Sequence, residues 1–95
     1  MFDRILNQIC EKIRNRQYVV TFHARKEMNN DELTIYDVEH AILTGEILER
    51  QTDRVTSESK YRIRGDTFAD DKAEVIGKLS PTGKLVIITV YLLYE

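Results

Sequence analysis

The spacing of apolar residues changes near the middle of this chain, and that change limits the folds available to it. Before Glu46, apolar residues recur three and four positions apart, which is typical of helices with one buried face. From Glu46 onward they mostly alternate with polar residues, which is typical of strands. Because 95 residues is the size of one ordinary domain, the sequence predicts a single α+β domain over residues 1–95. In that domain, N-terminal helices pack on a C-terminal antiparallel sheet of about four strands.

The first 30 residues contain two of the predicted helices. The first helix extends from Asp3 to Arg16, with Asp3 as its N-cap and Asn15 near its end. Residues 18–22 are β-branched and aromatic, and they predict a short strand or an extended connector. A second, short helix is predicted over residues 23–30.

The third helix has both a start pattern and a stop pattern. Thr34 followed by Asp37 is similar to a capping box, in which each side chain accepts a hydrogen bond from the other residue's backbone N–H. Gly45 stands where a residue in the left-handed conformation commonly ends a helix. The sequence therefore predicts a helix between Thr34 and Gly45.

The second half of the chain predicts strands joined by polar turns. Pro81 and Gly83 are typical turn residues, so the last two strands are expected to form an antiparallel hairpin. In the strand that begins at Tyr61, the alternation places Arg62 and Arg64 on one face. The predicted strands comprise residues 47–50, 61–65, 73–79 and 84–94.

Composition disfavours several classes of protein. A single cysteine, Cys10, forms no internal disulfide and suits a reducing compartment. Two histidines are too few for a convincing metal site, and the four glycines are too far apart for a phosphate-binding loop. Residues 1–16 lack the apolar stretch of a signal peptide, and the apolar run over residues 85–93 is too short to span a bilayer. We therefore expect a cytoplasmic protein with no metal and no cofactor.

The remaining chemistry lies in one histidine, several cations and a tyrosine. Histidine transfers protons near neutral pH, and arginine holds phosphate oxygens in pairs, so the combination suits metal-free RNA cleavage. Structural roles stay open for all of them, because histidines often bind backbone groups and strand arginines often face solvent. The candidates are His23 for proton transfer and Arg25, Lys26, Arg62, Arg64 and Tyr91 for substrate binding.

Several short motifs follow one another with a defined spacing. Residues 21–28 read T-F-H-A-R-K-E-M, residues 37–49 read D-V-E-H-A-I-L-T-G-E-I-L-E, and residues 86–91 read V-I-I-T-V-Y. Tyr61 and Gly65 supply a Y-x-x-x-G motif between them. In this order and spacing the motifs resemble a family of small, mostly bacterial domains of unknown function that share the pattern T-x-H-A-x-x-R-M. That family is distantly similar to the RelE/MqsR-like toxins, which are metal-independent ribonucleases.

The resemblance implies a RelE-like fold and the activity of a toxin-type mRNA endonuclease. It also implies a cognate antitoxin-like protein as partner and RNA as substrate. By the same resemblance, His23 would be the acid and base, Arg25, Arg62 and Arg64 would hold phosphate, and Tyr91 would assist them.

One position departs from the family pattern. The family commonly has arginine just before the methionine, where this chain has Glu27. This change, together with a net charge of −2, favours a second hypothesis. Under that hypothesis the chain is a non-catalytic interaction or regulatory module with the same fold, and it cleaves no RNA.

Overall fold

A computed structural model describes residues 1–94 of the chain. None of the helices in that part of the chain is long and apolar enough to cross a membrane. In chain order the elements are α1 (Asp3–Arg14), β1 (Tyr18–Val20), α2 (Phe22–Asn30), α3 (Ile35–Leu43), β2 (Glu46–Thr52), β3 (Ser59–Asp66), β4 (Lys72–Leu79) and β5 (Leu85–Leu92).

The α+β class is confirmed, and the sheet of the described residues has five strands and is mixed. The four predicted strands form its antiparallel part, and the prediction of about four antiparallel strands left out a fifth, parallel strand, β1. The strand order is β1-β5-β4-β3-β2, and only β1 runs parallel to its neighbour, β5. The backbone N–H of Leu85 donates to Gln17 O at 3.0 Å, and that of Thr21 donates to Ile87 O at 3.0 Å. Within the segment predicted as a strand or a connector, residues 18–20 are therefore a strand, paired with residues almost seventy positions further along the chain. Thr21 caps α2, and Phe22 is the first residue of that helix.

The helices cover one face of the sheet, and that face forms the core. The α3 helix packs on β3 and β4, α2 packs on β5, and α1 packs on α3 and β5. Tyr61 and Ile63 of β3 point toward the helices and are buried, whereas Arg62 and Arg64 point to the opposite face, as the alternation predicts. The largest fully buried apolar side chains are Ile9, Val38, Ile42, Ile63, Val75, Leu85, Ile87 and Val90.

The start of α1 differs from its prediction. Phe2 is the N-cap residue and makes no side-chain capping bond, whereas Asp3 is the first residue of the helix. At that position the carboxylate still interacts favourably with the positive end of the helix dipole. The helix ends at Arg14, two residues before Arg16, and Asn15 is its C-cap residue, as predicted.

The third helix begins as predicted but ends for a different reason. Thr34 Oγ1 accepts a hydrogen bond from Asp37 N, and Asp37 Oδ2 accepts one from Thr34 N, which completes the capping box. Gly45 is not among the residues with positive φ, so the left-handed stop is wrong. A Cβ at this position would lie 2.5 Å from Ala41 O and 2.6 Å from Arg64 O. Glycine is needed there because the end of α3 lies against β3.

Candidate functional site

Four polar side chains meet on the sheet face opposite the helices. Arg64 of β3 pairs in register with Glu74 of β4, and Glu74 pairs with Tyr91 of β5. Arg62 lies two residues before Arg64 and therefore shares its face. We call Arg62, Arg64, Glu74 and Tyr91 the Glu74 cluster. The register thus brings three residues proposed from the sequence together around an acid that the sequence did not indicate.

Glu74 is the shared hydrogen-bond acceptor of the Glu74 cluster. Arg64 donates to its Oε2 from Nε at 2.8 Å, and Arg64 Nη2 forms an ion pair with the same oxygen at 2.7 Å. Arg62 donates from Nη1 to both carboxylate oxygens at 3.1 Å, and the Tyr91 hydroxyl donates to Oε1 at 2.5 Å. The Glu74 side chain is only 3% exposed, so these donors replace the water that a carboxylate would otherwise bind.

The same contacts set the protonation of Glu74. Burial by itself raises the pKa of this carboxyl, but hydrogen bonds from Tyr91, Arg64 and Arg62 outweigh burial and lower the pKa below its ordinary value. Burial, together with the hydrogen bond to Glu74, raises the pKa of the Tyr91 phenol. At neutral pH the cluster therefore holds one carboxylate, two guanidinium groups and a neutral phenol.

A second acid, Glu49, reaches the cluster from the edge strand β2. Its Oε1 accepts a hydrogen bond from Arg62 Nε at 2.9 Å and another from Gln51 Nε2 at 2.9 Å. The Glu49 side chain is 46% exposed, in contrast to the buried Glu74. Hydrogen bonds from Gln51 and Arg62 lower the pKa of Glu49. Two carboxylates therefore balance the charges of the two arginines on this face.

His23 lies apart from the arginines, in the first turn of α2. Its side chain is 67% exposed, and its Nε2 lies 3.2 Å from Glu27 Oε1. Glu27 Oε1 also accepts the backbone N–H of Val90 at 3.2 Å, which places α2 along the edge of β5 beyond the end of β1. Because neighbouring strands are about 4.8 Å apart, the β3 backbone is roughly 10 Å from the β5 backbone. One phosphate group is too small to contact His23 and both arginines.

Arg25 and Lys26 follow His23 on α2, and both are exposed. Arg25 lies beside a shallow recess that Tyr18 and Val19 of β1 also line. Lys26 is three residues after His23, so the two side chains share one face of the helix. The cations proposed from the sequence therefore form two groups, one on α2 and one on the sheet.

Sequence reasoning missed Glu74 and Glu49 as members of the site. An acid in a strand is ordinarily a solvent-exposed residue, and nothing near Glu74 in the chain distinguishes it. The sequence offered one indirect indication of Glu74. If β3 and β4 pair as an antiparallel hairpin, an acid of β4 can lie opposite one of the two arginines of β3. The pattern alone did not give that register.

Glu27 has a structural role at the edge of the sheet. Glu27 accepts the backbone N–H of Val90, which no strand pairs at the edge of β5, and Asp31 does the same for Leu92 at 3.1 Å. A partly buried N–H that loses its acceptor costs about 1–2 kcal/mol. Glu27 therefore joins α2 to the sheet edge.

We expect Glu27→Arg to lower the free energy of unfolding by about 1–2 kcal/mol, because arginine offers no acceptor to the Val90 N–H. Urea denaturation measures the loss. Glu27→Gln keeps an amide oxygen at the same place and is expected to lose less than half as much. Equal losses in the two variants would mean that the carboxylate charge, and not the acceptor, is what matters.

No curated protein matches this chain, and no solved structure matches it. A family model described as a domain of unknown function, DUF4258, matches residues 20–92. That range begins in β1 and ends in β5, so it includes α2, α3 and the whole Glu74 cluster. The chain belongs to the DUF4258 family.

Proposed function

We propose that this protein is a toxin-like, metal-independent endoribonuclease with a RelE-like fold, held inactive by a small antitoxin-like protein. The observation that carries the proposal is the pair of arginines on one sheet face, both oriented by the buried carboxylate of Glu74. Helices packed on one side of a largely antiparallel sheet agree with the RelE-like layout. The proposed location is the cytoplasm, where mRNA is available.

The arginines keep donors for a phosphate. Arg64 uses Nε and Nη2 on Glu74, and Arg62 uses Nε on Glu49 and Nη1 on Glu74. Within residues 1–94, Nη1 of Arg64 and Nη2 of Arg62 contact no acceptor, so both are available to a phosphate on the sheet face opposite the helices. The Arg64 side chain is 44% exposed. A guanidinium that is already fixed loses little conformational freedom when it binds phosphate, which favours binding.

In the proposed reaction, one RNA strand contacts both groups of cations. The scissile phosphate lies beside His23, which takes the proton of the 2′-hydroxyl as that oxygen bonds to phosphorus. The bond between phosphorus and the 5′ oxygen breaks, His23 returns the proton to that oxygen, and a 2′,3′-cyclic phosphate remains. Glu27 orients the imidazole from 3.2 Å, and Lys26, on the same face of α2, stabilises the charge that develops on the phosphate. Arg25 lies beside the recess next to β1 and binds a neighbouring phosphate. Neighbouring phosphates of the extended strand bind to the Glu74 cluster, with Tyr91 between the two groups.

We expect the purified protein to cleave a labelled single-stranded RNA in buffer that contains EDTA. His23→Ala should lower the cleavage rate at least about 100-fold, because it removes the proton-transfer group. Arg64→Gln should lower it roughly 10-fold, mainly by weakening binding. Gel separation of the products measures both rates.

The matched control is Arg54→Gln, which removes an exposed arginine from the loop between β2 and β3 without touching either group of cations. It should cleave at the rate of the unaltered protein. If His23→Ala also cleaves at that rate, the role assigned to His23 is wrong. If no protein of the set cleaves RNA, the ribonuclease proposal fails.

A non-catalytic interaction module is the second candidate function. The observation that favours it is charge balance: Glu49 and Glu74 neutralise Arg62 and Arg64 within the site. Such a module would form a stable complex with a protein partner and would leave RNA intact. Growth arrest on expression of the unaltered protein, but not of His23→Ala, would favour the ribonuclease over this candidate.

A further inference from the structure

We propose that Glu49 is a built-in competitor for the anion-binding position on Arg62, and that an RNA phosphate binds there by displacing the Glu49 carboxylate. This inference rests on the proposed function, because it assumes that the sheet face takes phosphates. It adds a residue that sets how readily the face accepts them.

The two carboxylates that contact Arg62 differ in the way a fixed partner and a replaceable partner should differ. Glu74 is 3% exposed and accepts hydrogen bonds from Arg62, Arg64 and Tyr91 together. Glu49 is 46% exposed, and its one contact with the cluster is the Arg62 Nε. Removing Glu74 would leave a buried gap, whereas Glu49 can move into solvent.

The position of Glu49 in the backbone also suits a movable side chain. It lies on β2, an edge strand that pairs with β3 alone. The register between these strands shifts between Ile47 and Glu49, which is a β-bulge. Bulges redirect side chains and loosen the local ladder, and they often occur beside functional sites. The bulge places Glu49 opposite Arg62 in the register.

Gln51 defines the resting position of Glu49. Its Nε2 donates to the same oxygen, Oε1, that accepts from Arg62 Nε, at 2.9 Å in each case. A phosphate oxygen that takes the place of Oε1 would find the same two donors already aimed at it. The carboxylate therefore occupies the position that a tetrahedral anion would use.

Displacement of the Glu49 carboxylate from Arg62 favours polyanions over single anions. An exposed ion pair such as Arg62–Glu49 contributes little, so a phosphate that makes several contacts at once can replace it. A small anion with one weak contact gains too little to do so. Glu49 would thus keep small anions off this sheet face until an RNA strand with several adjacent phosphates binds.

The test uses a 2′-O-methyl RNA oligonucleotide of about 20 nucleotides, which binds but offers no 2′-hydroxyl for cleavage. Glu49→Gln should bind this probe about fivefold more tightly than the unaltered protein, on the scale of one exposed ion pair. The slope of log affinity against log salt should steepen by about 0.7, as for one additional phosphate contact on a single strand. Fluorescence anisotropy at several salt concentrations measures both quantities.

Glu46→Gln is the matched control, since it makes the same change in net charge on the same strand at an exposed residue. Glu46 lies opposite Arg64 in the register but, in the described part of the chain, forms no hydrogen bond or ion pair with either arginine. The gain of Glu46→Gln in affinity for the probe should be much smaller than the gain of Glu49→Gln. Adding Arg62→Gln to Glu49→Gln should remove the gain, because the freed guanidinium is the source of it.

The outcomes separate this inference from the proposed function. If the unaltered protein binds the probe and the Glu49→Gln and Glu46→Gln variants gain equally, Glu49 is not a competitor although the face still binds RNA. If neither the unaltered protein nor any variant binds the probe, the proposed function fails and the inference fails with it. A gain confined to Glu49→Gln and dependent on Arg62 supports both.

Discussion

Replacement of Gly65 by alanine is expected to lower the free energy of unfolding by at least about 4 kcal/mol, which is enough to unfold many domains of this size. A Cβ on Gly65 would lie 1.7 Å from Ala41 O and 2.6 Å from Ala41 C. These are backbone atoms of α3, and Ala41 is fully buried. No side-chain rotation relieves the overlap, so α3 would have to move away from β3 and open the core between them.

Gly77 provides the matched control for this substitution. It lies in β4, where an added Cβ would meet Leu85 Cδ1 at 3.2 Å and Val86 O at 3.3 Å. The leucine side chain can move by a few tenths of an ångström, so Gly77→Ala is expected to change stability by about 1 kcal/mol or less. Urea denaturation of both variants measures the difference. A Gly65→Ala variant with the stability of Gly77→Ala would mean that α3 packs less closely on β3 than described.

The close contact between Gly65 and α3 also gives a physical reason for the Y-x-x-x-G motif. Tyr61 and Gly65 lie on the same face of β3, and both face the helices. Tyr61 fills the core near α1, where its ring contacts Phe2 edge-on. Gly65 allows α3 to contact the strand backbone. The motif that supported the family resemblance therefore records how the helices pack on the sheet and not a catalytic group.

Local patterns predicted most of the elements, because each pattern acts within a few residues. The Thr34 and Asp37 capping box, the alternation around Arg62 and the turn at Gly83, where φ is +85°, all follow from neighbouring residues. The pairing of β1 with β5 did not follow, because it joins segments from opposite ends of the chain. Three β-branched or aromatic residues are equally compatible with a connector and with a strand.

The candidate site was only partly predictable for the same reason. That Arg62 and Arg64 share one face is a local property of a strand, and it is confirmed. The role of Glu74 depends on which residue of β4 stands opposite Arg64, and register is set by the whole sheet. The distance of His23 from the arginines depends on α2 lying along the edge of β5, which Glu27 fixes through Val90.

We expect Glu74→Gln to lower the free energy of unfolding at pH 7 by about 2 kcal/mol. The substitution keeps the shape of the side chain but removes the charge that holds Arg62, Arg64 and Tyr91. Breaking a fully buried ion pair costs about 3–5 kcal/mol. Both arginines are partly exposed and regain water, so the expected cost is smaller. Glu46→Gln, at an exposed acid of β2, should change stability by less than about 0.5 kcal/mol.

The dependence on pH distinguishes loss of the charge from loss of an acceptor oxygen at Glu74. The pKa of this carboxyl is lowered in the folded protein from an ordinary value of 4.5. A lowered pKa contributes stability that is fully present above the unfolded value and is lost as the pH falls through the folded value. The difference between the unaltered protein and Glu74→Gln should therefore be constant from pH 7 to about pH 5 and should shrink toward pH 3. Urea denaturation at those three pH values measures it. An equal difference at pH 7 and pH 3 would assign the stabilisation to the acceptor oxygen that the amide nitrogen replaces, and the charge of the buried carboxylate would then not be what orients the two arginines.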